Sequence, residues 1–329
     1  MAQSRLSYAR ETGALTLPDE GRIALFEPPA DMLGDDLPRE RCEVITRYAT
    51  TDQALSSRGF ATSRRPSGPY AAALVTLPRA RALAEQLLAE AEAAAPGGLV
   101  VVDGAKTDGF DATLKALKKR LSLAGTVSKA HGKIAWFEAA DALSDWLRPE
   151  RQRIEGGFAT APGVFSADGV DPASEALAEA LPDHVGDLVA DLGAGWGYLS
   201  SRLLKDPALT RLFLVENDAV ALDCAKDTLD DPRAEYHWAD ATRWTAPAPL
   251  DAVVMNPPFH QGRAADPGLG RAFIEAAARM LAPHGRVWLV ANRHLPYEDV
   301  LDQCFGQHEE TGGDRRFKIL SASRPRRRR

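Results

Sequence analysis

Residues 189–200 read Val189-Ala190-Asp191-Leu192-Gly193-Ala194-Gly195-Trp196-Gly197-Tyr198-Leu199-Ser200, and no other stretch narrows the possible folds as far. An apolar run ends near an acid, three glycines follow at alternate positions, and a helical pattern then begins. A buried strand turning sharply into a helix meets this description. Glycine permits the tight turn and removes the Cβ that would hold a ligand away from the backbone. The N–H groups at such a helix start suit a carboxylate or a phosphate. The dinucleotide fingerprint G-x-G-x-x-G would require glycine at position 198, where Tyr198 stands. On this motif alone, a ligand-binding turn and a plain strand–turn–helix both stay open.

Strand and helix patterns alternate along the whole chain of 329 residues, a length that favours two domains. In the first half, Ile23–Phe26, Val44–Tyr48, Ala72–Leu77 and Leu99–Val102 read as strands. Arg79–Ala95 and Phe110–Leu121 between them carry helical spacing. In the second half the strands are Leu188–Ala190, Leu212–Val215, Ala252–Met255, Val287–Val290 and Phe317–Ser321. The helices are Ser174–Ala180, Tyr198–Lys205, Ala219–Leu229, Arg271–Leu281 and Tyr297–Phe305. Such alternation predicts α/β domains with parallel sheets covered by helices. The polar segment Arg148–Gly157 marks the boundary, giving domains 1–150 and 151–329. After its first strand, the first half has Glu27-Pro28-Pro29 in place of a glycine turn. Proline has no N–H to offer, so no nucleotide cofactor is expected in that half.

The D-x-G-x-G-x-G spacing of Asp191, Gly193, Gly195 and Gly197 resembles the first motif of class I S-adenosylmethionine-dependent methyltransferases. Downstream acids fit that resemblance. Glu216 ends the strand pattern at Val215, where a carboxylate can accept from both ribose hydroxyls. Asp240, followed by Ala241, ends the third unit, where a carboxylate can accept from an adenine amino group. A solvated loop acid is the alternative at each position taken singly. Asn256-Pro257-Pro258-Phe259 follows the apolar strand Ala252–Met255, at the edge where parallel sheets place ligands. An exocyclic amine conjugated to a base is a poor nucleophile. The Asn256 side-chain oxygen and the Pro257 carbonyl can accept its two hydrogens, aiming the lone pair and stabilising the charge that develops. The two prolines stiffen the loop, and Phe259 offers a face for stacking an extruded base. An ordinary turn is the alternative reading of Asn-Pro-Pro. His260 is read as a loop residue, because the methylated ammonium loses its proton without a tuned base.

Net charge is −6, yet the cationic residues cluster. Arg324-Pro325-Arg326-Arg327-Arg328-Arg329 closes the chain, and Lys115, Lys118, Lys119 and Arg120 read as one helix face. Each cluster is either a phosphate contact or a solvated surface. Cys42, Cys224 and Cys304 lack ligand spacing, so neither a zinc site nor a disulfide framework is expected. No apolar run is long enough to cross a bilayer. The N-terminus lacks an apolar signal core, and a cytoplasmic protein is expected.

Taken together, the chain resembles the bacterial ribosomal RNA guanine-N2 methyltransferases of the RsmC type, which carry two tandem methyltransferase-like domains. In the second half the likeness rests on Pro162-Gly163-Val164-Phe165-Ser166, Asp191–Gly197 and Asn256–Gly262. Ala291-Asn292-Arg293-His294-Leu295-Pro296-Tyr297-Glu298 and Phe317-Lys318-Ile319-Leu320 extend it. In the first half it is looser, over Val101–Gly104, Gly109 and Ser128–Lys133. The resemblance implies two Rossmann-like domains, the second with a seven-stranded sheet that includes Phe317–Ser321 as an antiparallel strand, and the first degenerate. It implies S-adenosylmethionine bound by Asp191, Gly193, Gly195, Gly197, Glu216, Asp240 and Ala241, and a base handled by Asn256, Pro257 and Phe259. A ribosomal RNA or assembling subunit is the implied partner of a monomer that uses no metal. The resemblance also implies a guanine of the small-subunit (16S) RNA as target and a first domain that helps recognise RNA. A large-subunit guanine is an alternative target, similar Asn-Pro-Pro-aromatic loops serve adenine-N6 and protein glutamine-N5 methyltransferases, and a non-catalytic RNA-binding assembly factor is a further alternative. The arginine-rich end is no part of the pattern.

Overall fold

Ile23–Phe26 is apolar at every position and buried throughout, the composition of a central strand covered on both faces. The computed structural model, which describes residues 4–30, 37–258, 260–261, 264–265 and 267–326, places it in the middle of a sheet. The chain divides into two units, Met1–Glu150 and Arg151–Arg329.

In chain order the first unit contains α1 (Arg5–Glu11), β1 (Ile23–Phe26), β2 (Cys42–Ile45), α2 (Ala49–Ser56), β3 (Ala61–Ser63), β4 (Ala72–Thr76), α3 (Arg81–Ala94), β5 (Leu99–Ala105), α4 (Phe110–Leu117), β6 (Gly125–Lys129) and β7 (Gly132–Glu138). The sheet order is β3-β2-β1-β4-β5-β7-β6. Strands β1 to β5 pair in parallel; β7 runs antiparallel to both β5 and β6. Successive residues of β1 face opposite ways, as strand geometry requires. Ala24 and Phe26 pack with Leu83, Leu87 and Leu88 of α3, while Ile23 and Leu25 pack with Ala9 of α1 and Leu55 of α2.

The second unit contains α5 (Pro172–Ala180), β8 (Leu188–Leu192), α6 (Tyr198–Leu203), β9 (Arg211–Glu216), α7 (Ala219–Thr228), β10 (Ala234–Trp238), β11 (Leu250–Met255), α8 (Pro267–Met280), β12 (Leu281–Asn292), α9 (Glu298–Cys304), β13 (Phe305–Gly313) and β14 (Phe317–Pro325). Its sheet order, β10-β9-β8-β11-β12-β14-β13, repeats that of the first unit strand for strand. Again β14 is antiparallel to both neighbours. Ala190, Leu192, Phe213 and Val215 bury one face against Phe273 and Ile274 of α8 and Val300 of α9. Val189, Leu212 and Leu214 bury the other against Leu177 of α5, Leu199 of α6 and Leu222 of α7. Both units are therefore doubly wound, Rossmann-like α/β sheets.

The first unit is degenerate in its loops and intact in its sheet. β1 pairs with β4 so that Phe26 lies opposite Val75, and β8 pairs with β11 so that Leu192 lies opposite Met255. One residue further on, the first unit has Glu27 and Thr76 where the second has Gly193 and Asn256. The Glu27 N–H donates to Ile45 O (2.9 Å), as Gly193 N–H does to Val215 O (2.8 Å). The Glu27 carboxylate then accepts from Thr46 Oγ1 (2.8 Å) and Arg47 N–H (3.0 Å). The Glu27 carboxylate thus ties the turn to the residues that follow β2, where the second unit has a glycine with no side chain.

Two expectations for the cationic clusters change. Helix α4 ends at Leu117, so only Lys115 of the first cluster is helical; Lys118, Lys119 and Arg120 form the turn that follows. Arg120 pairs with Asp145 (2.7 Å) and lies over the Trp146 ring, because its planar guanidinium can do both. At the other end, β14 runs through Pro325, and the Arg326 N–H donates to Cys304 O (2.7 Å). The closing segment is sheet as far as Pro325; residues 327–329 lie outside the described residues.

Candidate active site

β8, β9 and β11 end side by side at one edge of the second sheet, and the loops leaving them carry most of the residues singled out by sequence. The first loop is Gly193–Gly197. Gly195 has φ +56°, and a Cβ built on it would meet nothing within 4 Å, so it borders open space. Gly197 has φ +90°, and a Cβ there would press on Leu229 Cδ1 at 2.9 Å and Ala225 Cβ at 3.1 Å. Glycine at 195 therefore leaves room in front of the loop, and glycine at 197 lets α6 close onto α7.

Four of the loop's five N–H groups are taken up within the protein. Gly193 and Ala194 donate to Val215 O (2.8 and 3.2 Å), Gly197 donates to Ala194 O (2.9 Å), and Gly195 donates to Glu216 Oε2 (2.8 Å). A tight turn must satisfy its own backbone. Toward a ligand the turn presents its open shape and the Glu216 carboxylate. Glu216 Oε1 accepts from Asp218 N–H (2.8 Å). Burial pushes its carboxyl up to about 7, with the Asp218 charge adding to the rise and the backbone N–H bonds opposing it.

Asp191 lies wholly buried in β8, beneath the loop. Its Oδ2 accepts from Ser200 Oγ–H (2.7 Å), and its Oδ1 has no partner among the described residues. Burial raises its pKa to about 7 against the pull of the Ser200 hydrogen bond. Asp240 closes a turn after β10, accepting from Thr242 N–H (2.8 Å) and Thr242 Oγ1–H (2.7 Å), while Ala241 is buried. The Ala239 N–H donates to Glu216 O (3.0 Å), which brings that loop beside Glu216.

Asn256 follows β11 directly. Its Nδ2 donates to Asp171 Oδ2 (3.0 Å) and to Ser174 Oγ (2.9 Å), residues at the start of α5. Pro257 is buried and Pro258 exposed. Phe259 lies outside the described residues, as does the side chain of His260, whose backbone forms a two-residue ladder with Ala264–Ala265. Sequence reasoning missed Asp171 and Ser174. The available signal was Asp171-Pro172, an N-cap acid followed by proline at the first helical position.

Two other motifs have structural placements. Val164 is buried, Phe165 is exposed, and the Trp196 Nε1–H donates to Phe165 O (2.9 Å), which ties the Pro162–Ser166 run to the glycine loop. In the Ala291–Glu298 run, Leu295 and Tyr297 are buried, and Glu298 pairs with the buried Lys318 at 2.5 Å. A buried ammonium needs such a partner, and this one joins the start of α9 to β14. A cavity of about 980 Å³ is bordered by Trp244, Arg279 and Arg326, and none of Asp191, Glu216, Asp240 and Asn256 lines it.

S-adenosylmethionine carries a sulfonium, an α-ammonium and a ribose diol. The residues present fit it: open space stands over Gly195, a carboxylate borders that space, and a buried carboxylate oxygen lacks a counter-charge among the described residues. Comparison with known proteins agrees. The model of the methyltransferase small domain family matches residues 155–321. The chain is 32% identical to ribosomal RNA small subunit methyltransferase C of Pseudomonas aeruginosa, over 90% of this chain and 92% of the relative. It is 28% identical to the Hahella chejuensis protein of the same name, over 97% of each. Among solved structures it is similar to the T. thermophilus 16S rRNA N2 G1207 methyltransferase (RsmC) in complex with AdoMet and guanosine. The TM-score is 0.75 at 27% identity, covering 94% of this chain and 90% of that one.

Proposed function

The chain belongs to the ribosomal RNA small subunit methyltransferase C family, and from its site we propose that it methylates the exocyclic N2 amine of a guanine in 16S ribosomal RNA, using S-adenosylmethionine. The observation that carries the reading is strand adjacency. The glycine loop leaves β8 and Asn256 leaves β11, with Leu192 opposite Met255 in the register. A methyl donor over Gly195 and an amine at Asn256 would then meet at neighbouring strand ends.

S-adenosylmethionine supplies a methyl group on a sulfonium sulfur, open to direct displacement. Glu216 would accept from the ribose hydroxyls, and Asp191 would place negative charge under the loop. Asp240 and Ala241 would hold the adenine. The Asn256 side-chain oxygen and the Pro257 carbonyl accept the two amine hydrogens, which aims the lone pair and stabilises the positive charge growing on nitrogen. Phe259, next in sequence, supplies a ring for stacking the base. The product ammonium gives its proton to water, so no residue is assigned as a base. The first unit has Glu27 and Thr76 at the matching positions; its exposed Lys115, Lys118 and Lys119 are assigned to RNA phosphates. The protein acts in the cytoplasm on ribosomal RNA or an assembling subunit.

Mapping modified guanines in 16S RNA from cells lacking the protein tests the reading. One N2-methylguanine should disappear and return with the parent gene. Complementation with Asn256→Ala should fail, and the purified variant should bind cofactor normally while losing ~10²–10³-fold in turnover. An unchanged methylation map in the deletion strain would refute the assignment.

A further inference from the structure

We propose that Asp171 and Ser174 are positioning residues that decide which end of the Asn256 carboxamide meets the substrate amine. The inference deepens the preceding reading and rests on Asn256 accepting from that amine.

The two ends of a carboxamide have nearly the same shape and opposite hydrogen-bonding character. Turned one way, Asn256 would offer an acceptor to the amine. Turned the other way, it would set NH₂ against NH₂ and leave the lone pair unaimed. A carboxylate can only accept, so the Asn256 atom 3.0 Å from Asp171 Oδ2 has to be nitrogen. The same nitrogen lies 2.9 Å from Ser174 Oγ. Both amide hydrogens are thereby committed, and oxygen is what the side chain has left for a substrate. A flip would bring the amide oxygen against a carboxylate.

The pair is itself held. Asp171 caps α5, its Oδ2 accepting from Ser174 N–H at 2.9 Å, and Ser174 is buried. Capping alone would be served by serine, threonine or asparagine equally well. The charge of Asp171 does more. An anion bonded to the NH₂ end of an amide strengthens that bond and, by polarising the group, makes its oxygen a better acceptor. The increased partial charge lies where the nitrogen of the substrate becomes positive.

The test uses Asp171→Ser with Ser174→Ala in the full-length protein. Serine keeps the cap but its shorter side chain does not reach Asn256, and alanine removes the second acceptor without disturbing the helix. Methyl transfer from labelled S-adenosylmethionine to small ribosomal subunits from cells lacking the protein gives kcat and KM; calorimetry gives cofactor affinity. The double variant should bind cofactor within about twofold of parent and lose ~10–100-fold in kcat, the scale of a misplaced reacting group. Added to Asn256→Ala, the same two changes should cause no further loss, because they act only through Asn256. An equal fold-loss in both backgrounds would mean general damage and overturn the proposal. So would unchanged kcat in the double variant when Asn256→Ala alone is inactive. Normal turnover by Asn256→Ala would instead refute the preceding reading, and this one with it.

Discussion

Asp191→Asn should make the cofactor-free protein more stable at alkaline pH while weakening its hold on S-adenosylmethionine. Asp191 is fully buried, and its pKa is raised from 3.8 to about 7. The native state therefore holds this proton more tightly than the unfolded chain does. Below about pH 4 the carboxyl is protonated in both states and carries no penalty. From there to about pH 7, stability falls as pH rises, and above pH 7 the whole cost of the buried charge is present. Three pKa units correspond to about 4 kcal/mol. Asparagine keeps an oxygen for the Ser200 hydroxyl and removes the charge, but its NH₂ inherits the place of Oδ1, which has no partner among the described residues. That amide penalty is independent of pH, so it cancels when two pH values are compared. The stability gained at pH 8 should exceed that at pH 5 by about 2–3 kcal/mol. In a domain of this size that is roughly 5–10 °C in melting temperature. Thermal denaturation of cofactor-free parent and variant at both pH values measures it, and calorimetry at pH 8 should show weaker cofactor binding by the variant. A difference between variant and parent that is the same at pH 5 and pH 8 would refute the reasoning.

Cofactor affinity should also report Glu216. Its pKa of about 7 means that the carboxyl must lose a proton to accept from a ribose diol, so affinity should fall about tenfold for this group between pH 8 and pH 6, and Glu216→Gln should flatten that part of the curve. Reversing the charge of exposed Lys115, Lys118 and Lys119 should weaken RNA binding nearly equally across sequences and reduce the slope of log affinity against log salt, by ~0.7 for each single-strand phosphate that is no longer neutralised. Gel-shift titrations at low and physiological salt would show it, and a variant with parental affinity and slope would remove these lysines from the RNA-binding surface.

The central parallel strands β1, β2, β4, β5, β8, β9, β11 and β12 and the position of the glycine loop were legible because an apolar run and the turn after it are local. An apolar run that ends in alternate glycines has few ways to fold, and Asn256 after the run Ala252–Met255 could be placed at a strand end by pattern alone. β13, with the sequence FGQHEETGG, was not legible. It is an edge strand with mostly exposed positions, so it has no apolar alternation to read. The edge strands β3, β6 and β10 also escaped, each short and without a continuous apolar run, and so did β7. Sequence did not show that the first unit repeats all seven strands of the second, because a sheet can keep its core while its loops diverge. Helical spacing put Lys115 to Arg120 on one face, but the chain turns after Leu117, and Arg120 pairs with Asp145 instead. The site shows the same division. Residue types and spacing indicated which groups could accept hydrogens from a cofactor and an amine. Which way the Asn256 amide faces depends on Asp171 and Ser174, 85 and 82 residues earlier in the chain. A hydrogen bond across that separation leaves no periodic trace, and it exists only once α5 has packed against the sheet.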